Sequence, residues 1–247
     1  MNIRNISEWC VAVIAVIVFF LAAGNALAED ASLTDNKLHA DLMPYLVFGG
    51  MSGDVTIQNR TVPVNASATD VLSNLQFGFM GRTGFSYNRW FAGTDFTYMG
   101  LGAANNIADV GVDQWMLEMT GGYRVAPYLK LLGGVRYNKI TGEFRFQGPP
   151  GTTLSGAQTW WDPIVGAQAT IPIGKKLSAS ARFDVGGFGA GSKIAINAEP
   201  LLNYQVTKRM TASLGWKFIY QDYENSSQRF KYDVLSQGPF LGFNFRF

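Results

Sequence analysis

Cysteine and histidine are nearly missing from this sequence, which has one of each in 247 residues, Cys10 and His39. Zinc sites are built from several such ligands, so a metal centre is not expected. Cys10 falls in a leading segment expected to be removed, which leaves no disulfide and no thiol chemistry in what remains. Charge is also scarce. Asp, Glu, Lys and Arg make up 15% of the chain against 47% hydrophobic residues, yet mean hydropathy is only +0.05. This is too apolar for a charged soluble surface and too polar for a bundle of membrane helices. It fits strands that alternate apolar and polar side chains. A formal charge of +2 gives no reason to expect nucleic acid or a strongly acidic partner. The glycines form no phosphate-binding context, because Gly186-Gly187-Phe188-Gly189 lies between strands rather than between a strand and a helix. No cofactor is expected.

One long apolar run is present. Arg4 supplies a positive leader, Val11 to Ala23 an uninterrupted apolar stretch, and Ala26-Leu27-Ala28 a small-residue cleavage site. Residues 1–28 are therefore expected to be a cleaved signal peptide. A membrane anchor would need about 20 apolar residues, more than this run offers. Cys10 precedes the apolar stretch and so is not a lipid-attachment cysteine.

The rest, residues 29–247, is expected to form one domain, and its last ten residues show its kind. Leu241, Phe243, Phe245 and Phe247 point one way in a strand, while Gly242, Asn244 and Arg246 point the other. A strand this hydrophobic on an open sheet edge would invite aggregation. Its apolar face suits lipid, provided that both of its edges are paired, as in a closed transmembrane β-barrel. Upstream, the same period of two recurs from Leu75 to Tyr220. Examples are Phe77, Phe79 and Phe85 against Gly78, Met80 and Arg82, and Leu214, Trp216 and Phe218 against Ser213, Gly215 and Lys217.

Short turns at Asn88-Arg89, Ala126-Pro127, Gly174–Lys176 and Thr207–Arg209 alternate with longer polar joins near 102–113, 143–158, 187–192 and 222–231. Together with a first strand over 39–48, this predicts ten antiparallel strands in an up-and-down barrel, with eight as the alternative. Pro44 requires a lost ladder bond in the first strand. Residues 50–74 read as a long external loop. Within it, 54–58 could extend the first strand, and Ser67-x-x-Asp70 could start a short helix.

Alternation assigns the remaining charges to the lumen: Asp41, Arg82, Asp95, Glu118, Arg124, Lys130, Arg136, Asp162, Arg182, Asp184, Glu199, Lys217 and Arg246. Seven are positive and six negative, a near balance that suits a paired, filled interior better than an ion-selective pore. Tyr87, Trp90, Tyr98, Trp115, Tyr123, Tyr137, Trp161, Tyr204 and Tyr220 are the membrane-facing aromatics. Trp90 and Tyr98 are eight positions apart, as are Trp115 and Tyr123. Eight residues span about 26 Å along a strand, or roughly 20 Å after tilting, close to the ~25 Å apolar band of such barrels. Trp160-Trp161-Asp162-Pro163 could alternatively form a carbohydrate platform at the rim.

The overall pattern resembles the OmpA-like outer-membrane β-barrel superfamily. The phrases Gly53-Asp54-Val55-Thr56-Ile57, Phe77-Gly78-Phe79-Met80-Gly81, Trp161-Asp162-Pro163 and Asp184-Val185-Gly186-Gly187-Phe188-Gly189 are similar to an uncharacterised bacterial branch of it. The resemblance implies residence in the outer membrane, with bilayer lipid and the barrel-assembly machinery as partners. Leu241, Phe243, Phe245 and Phe247 would then serve as the assembly signal. It carries no catalytic residues. A barrel lipase, deacylase or omptin-like protease would need an imidazole near the outer rim, whereas His39 falls at the periplasmic end. The expectation is a non-enzymatic structural or surface-interaction protein, with a narrow channel for small polar solutes as the alternative.

Overall fold

The computed structural model describes residues 36–57, 60–104, 108–146 and 153–247. The expected signal segment, 1–28, lies outside them. Strand β1 (Leu38–Val47) is followed by β2 (Gly50–Ile57), β3 (Arg60–Ala66), helix α1 (Ala68–Ser73) and β4 (Leu75–Tyr87). A meander then runs through β5 (Trp90–Ala104), β6 (Ala108–Ala126), β7 (Leu129–Phe146) and β8 (Thr153–Pro172). It ends with β9 (Leu177–Gly186), β10 (Ile194–Gln205), β11 (Met210–Asn225) and β12 (Phe230–Arg246). Each strand from β4 to β12 pairs antiparallel with the next, and β1 pairs with both β4 and β12. The result is a closed ten-stranded barrel with β2 and β3 as two additional strands. No described helix is long and apolar enough to cross a membrane.

The first strand is longer than its alternation suggests. The C-terminal half of β12 pairs with β1, and its N-terminal half pairs with β2 from Phe230↔Ile57 to Gln237↔Gly50. β1 and β2 thus act as one strand bent at Phe48-Gly49. The Phe48 amide keeps the ladder continuous there, donating to the Pro239 carbonyl at 2.9 Å. Gly238 is required at this bend, because a Cβ there would lie 2.4 Å from the Phe48 carbonyl oxygen. Pro44 has the effect expected of it. The β1–β12 ladder passes from Leu42↔Phe245 to Tyr45↔Gly242, and no pairing forms at Met43 and Pro44.

Three of the longer joins that read as external loops prove to be largely strand: at 102–113, 143–158 and 222–231 the β5–β6, β7–β8 and β11–β12 ladders continue to Ala104↔Asp109, Arg145↔Thr153 and Asn225↔Phe230. The 50–74 segment holds β2, β3 and α1 rather than a loop. Its helix starts as the sequence implies: the Asp70 amide donates to Ser67 Oγ at 3.2 Å and the Ser67 amide donates back to Asp70 Oδ2 at 2.9 Å.

Candidate functional site: the lumen

Period-two alternation on every strand sends one set of side chains inward, and the barrel is too narrow to hydrate them all. At mid-height, directly opposed residues on five neighbouring strands form a row across the ladder: Arg82↔Asp95, Asp95↔Glu118, Glu118↔Arg136 and Arg136↔Asp162. From the far wall come Glu199↔Arg182 and Asn197↔Asp184, together with Lys217. The row contains two carboxylates side by side, Asp95 and Glu118, an unfavourable cross-strand pair unless cations approach from elsewhere. They do so from both sides.

The first cluster forms around Asp95 and Glu199. Arg82 grips Glu199 bidentately, Nη1 to Oε1 and Nη2 to Oε2, both at 3.0 Å. The same guanidinium donates to Asp95 Oδ2 from Nη2 at 2.6 Å and from Nε at 3.1 Å. Lys217 Nζ bridges the two carboxylates, 3.3 Å from Asp95 Oδ2 and 3.6 Å from Glu199 Oε2. Tyr45 completes the cluster: its hydroxyl donates to Asp95 Oδ1 at 2.5 Å and accepts from Lys217 Nζ at 3.1 Å. The face of its ring lies 4.8 Å from the same ammonium.

The second cluster shares a wall with the first. Arg136 donates to Glu118 Oε2 from Nη2 at 2.8 Å and from Nε at 3.1 Å, and to Asp184 Oδ1 at 2.6 Å. Arg182 pairs with Glu118 and donates through Nε to Asp184 Oδ2 at 3.0 Å. Asn197 Nδ2 adds a bond to Asp184 at 2.8 Å. Four cations thus meet four carboxylates, and six of the eight are less than 6% exposed. Charges this buried are tolerable only when paired and multiply hydrogen-bonded, and that condition is met here.

Asp162 lies in the same row but is held differently. It is fully buried and, among the described residues, accepts from neutral donors: the Ser192 amide (2.6 Å), Ser192 Oγ (2.9 Å), Trp160 Nε1 (3.1 Å) and Asn138 Nδ2 (3.2 Å). Ser192 belongs to the β9–β10 connection, so this carboxylate pins that loop down into the lumen. Gly191 beside it must lack a side chain, since a Cβ would lie 2.2 Å from the Trp161 carbonyl oxygen. Above Asp162, Trp160 stacks on Tyr223 at 4.2 Å and packs with Phe230, Tyr232 and Val234. Trp160 is therefore a core residue, so the rim platform envisaged for Trp160-Trp161 does not form.

Four of the predicted lumen charges lie away from this network, at the short-turn end. Arg246 Nε donates to Asp41 Oδ1 at 3.0 Å. Arg124 and Lys130 are register partners on the inward face and form no ion pair among the described residues; Lys130 instead stands over the Phe91 ring at 5.1 Å. These residues line a polar chamber of about 590 Å³ whose floor includes Arg82 and Arg182. His39 sits near the same end, opposite Ser86 on β4.

The sequence reading missed Tyr45, Asn138, Ser192 and the lumen role of Trp160. The parity of β1, with Leu42 and Leu46 outward, could have placed Tyr45. No pattern announces Ser192, which reaches the lumen from a loop.

On the outside, the expected aromatics pair across strands. Ring centroids lie 4.9 Å apart for Trp90–Tyr123, 4.5 Å for Tyr98–Trp115 and 4.9 Å for Tyr137–Trp161. Trp90, Tyr87, Trp161 and Tyr204 are each about half exposed or more, on a surface that also bears Phe77, Leu131, Val165 and Leu214. Phe243 and Phe247 face outward, and Leu241 and Phe245 are half-buried on the same face of β12. An apolar outer wall surrounds a charged interior, the inverse of a soluble barrel. This is an outer-membrane β-barrel. The structure of the outer-membrane protease OmpT from Escherichia coli aligns with a TM-score of 0.52 at 9% identity, covering 89% of this chain and all of that one. Ail, the attachment invasion locus protein of Yersinia pestis, aligns over 86% of this chain and all of its own, at 11% identity and a TM-score of 0.42. The translocator domain of the autotransporter NalP from Neisseria meningitidis covers 98% of both chains, at 13% identity and a TM-score of 0.42. No family model matches the outer-membrane barrel, and no curated relative does. The likeness to OmpT concerns fold alone.

Proposed function

We propose that this protein is a non-enzymatic, OmpA-like barrel whose mostly filled, ion-paired interior makes it a rigid anchor for the β2–β3, β5–β6 and β7–β8 hairpins outside the cell. In this reading the short turns face the periplasm, the chain arrives there by export, and the last strand is read by the assembly machinery through Leu241, Phe243, Phe245 and Phe247. One observation supports it above the others: an eight-member buried ion network spans facing walls of the lumen at mid-height, with the Asp162 latch and the buried Trp160 cluster above it. Opening a path would separate several buried ion pairs at once, which no small solute could offset.

The competing reading, a narrow channel, draws on the polar chamber at the short-turn end, which would be half of such a path. Planar-bilayer recording of the refolded protein separates the two. The anchor reading expects no sustained unitary conductance; steady, selective single-channel steps would overturn it in favour of the channel.

A further inference from the structure

The chamber at the short-turn end has charge left over. Its floor is the ion network, in which four cations and four carboxylates cancel. Of the charges on its walls, Asp41 is taken by Arg246 and by Asn244 Nδ2 at 3.1 Å. Arg124 and Lys130 remain, two cations set directly opposite each other across the β6–β7 ladder, with no carboxylate bonded to either among the described residues. Like charges in that register repel. Lys130 has the face of the Phe91 ring 5.1 Å away, but among the described residues neither cation has a bonded carboxylate, which a bound anion would supply.

Two further features point the same way. One side of the remaining wall is polar and uncharged: Ser180, Asn203 and Ser213 form a hydrogen-bonded chain, Asn203 Nδ2 to Ser180 Oγ at 2.9 Å and Ser213 Oγ to Asn203 Oδ1 at 2.8 Å. Such a surface exchanges readily with a hydroxylated ligand. The turns around this end are also strongly basic, with Arg89 between β4 and β5, Lys175 and Lys176 between β8 and β9, and Lys208 and Arg209 between β10 and β11. A one-signed rim around a low-dielectric opening concentrates anions at the mouth.

We propose that this chamber is a binding site for a small hydroxylated anion, of the sugar-phosphate or sugar-acid class, held by Arg124 and Lys130 and entering from the short-turn side. The charged group sits between the two cations, and the hydroxyl groups face Ser180, Asn203 and Ser213. The site does not depend on the anchor reading: a conducting barrel would overturn that reading and leave this one intact.

Titration calorimetry of the refolded full chain in zwitterionic micelles at low salt tests it, with glucose 6-phosphate and galacturonate as probes. Glucose and inorganic phosphate serve as controls. At least one anionic sugar is expected to bind saturably at one site per barrel, more tightly than phosphate, and glucose not at all. Arg124→Gln with Lys130→Gln should weaken binding on the order of a hundredfold, two charge-assisted contacts being lost. Lys175→Gln with Lys176→Gln should cost no more than about fivefold, with the difference vanishing in salt. The double chamber variant removes a repulsion and is expected to fold; if it does not, Lys130→Gln alone carries the comparison at about tenfold. Absence of saturable binding by either sugar anion would overturn the proposal. So would equal weakening by the rim and chamber variants, which would indicate diffuse surface charge. Phosphate binding as tightly as the sugars would overturn the hydroxylated class.

Discussion

Glu118 accepts from two guanidinium groups in a space where it is 4% exposed, so its charge and theirs cannot be separated cheaply. Glu118→Gln leaves Arg136 and Arg182 sharing Asp184 alone, and Arg182→Met leaves Glu118 and Asp184 each one partner short. Breaking a buried pair costs on the order of 3–5 kcal/mol, against about 1 kcal/mol or less for a hydrated one. Urea unfolding from micelles should show each variant destabilised by about 3 kcal/mol or more, without a gain of conductance. A loss below about 1 kcal/mol with altered ion selectivity would mean that these charges already face water. Alternation in the sequence put both residues inside the barrel. It could not say that Arg136 rather than Lys130 is Glu118's partner, because the two lie six positions apart on one strand with the same parity. Only the register of β6 against β7 distinguishes them.

At the scale of elements, helix α1 and strand β12 carry the signals most legible in the sequence. In the capping box, the Ser67 hydroxyl and then the Ser67 amide hold the Asp70 carboxyl below the ordinary aspartate range. A lowered folded value means that the cap contributes fully above the unfolded value near 3.9 and is lost as pH falls through the folded one. Intrinsic-rate-corrected protection of the Val71 and Asn74 amides, which donate to Ser67 and Asp70 carbonyls, should drop between about pH 5 and about pH 2.5. Asp70→Asn should remove that pH dependence; protection unchanged across the range would show that the cap does not hold the helix. β12 closes the barrel on β1, β2 and β11, and it ends on Phe247, 71% exposed. Deleting Phe247, or Phe247→Asp, should lower the yield of heat-modifiable folded barrel in cells, while refolding into micelles in vitro proceeds. An undiminished cellular yield would remove Phe247 from the assembly signal.

For the molecule as a whole, polarity runs from inside to outside and also from end to end. Across the wall, a charged interior faces an apolar exterior carrying paired aromatics. Along the axis, the ion network, the Asp162 latch and the aromatic cluster lie from mid-height toward the hairpins, whereas the short-turn half holds an open chamber with a basic rim. A barrel closed at mid-height can present structure on one side and accept a ligand on the other without joining them. The two proposed roles are therefore tested by different measurements, conductance for the closure and calorimetry for the chamber.

The amino-acid sequence by itself pointed to a barrel of ten strands, with eight as the alternative, to the inward and outward faces of those strands and to the helix start, while the two extra strands β2 and β3 were not legible in it. The faces and the helix start follow from local rules: period two in a strand, and a hydroxyl–carboxylate box over four residues. Tertiary structure alone decided how the thirteen predicted lumen charges divide, with eight in a closed network, Asp162 held by neutral donors, Asp41 and Arg246 paired at the rim, and Arg124 and Lys130 facing an open chamber. That division depends on strand stagger and on a loop folding inward, which bring together residues such as Tyr45 and Lys217, separated by 172 positions. Parity gives the face on which a side chain stands. The closure of the barrel sets the depth and the partner.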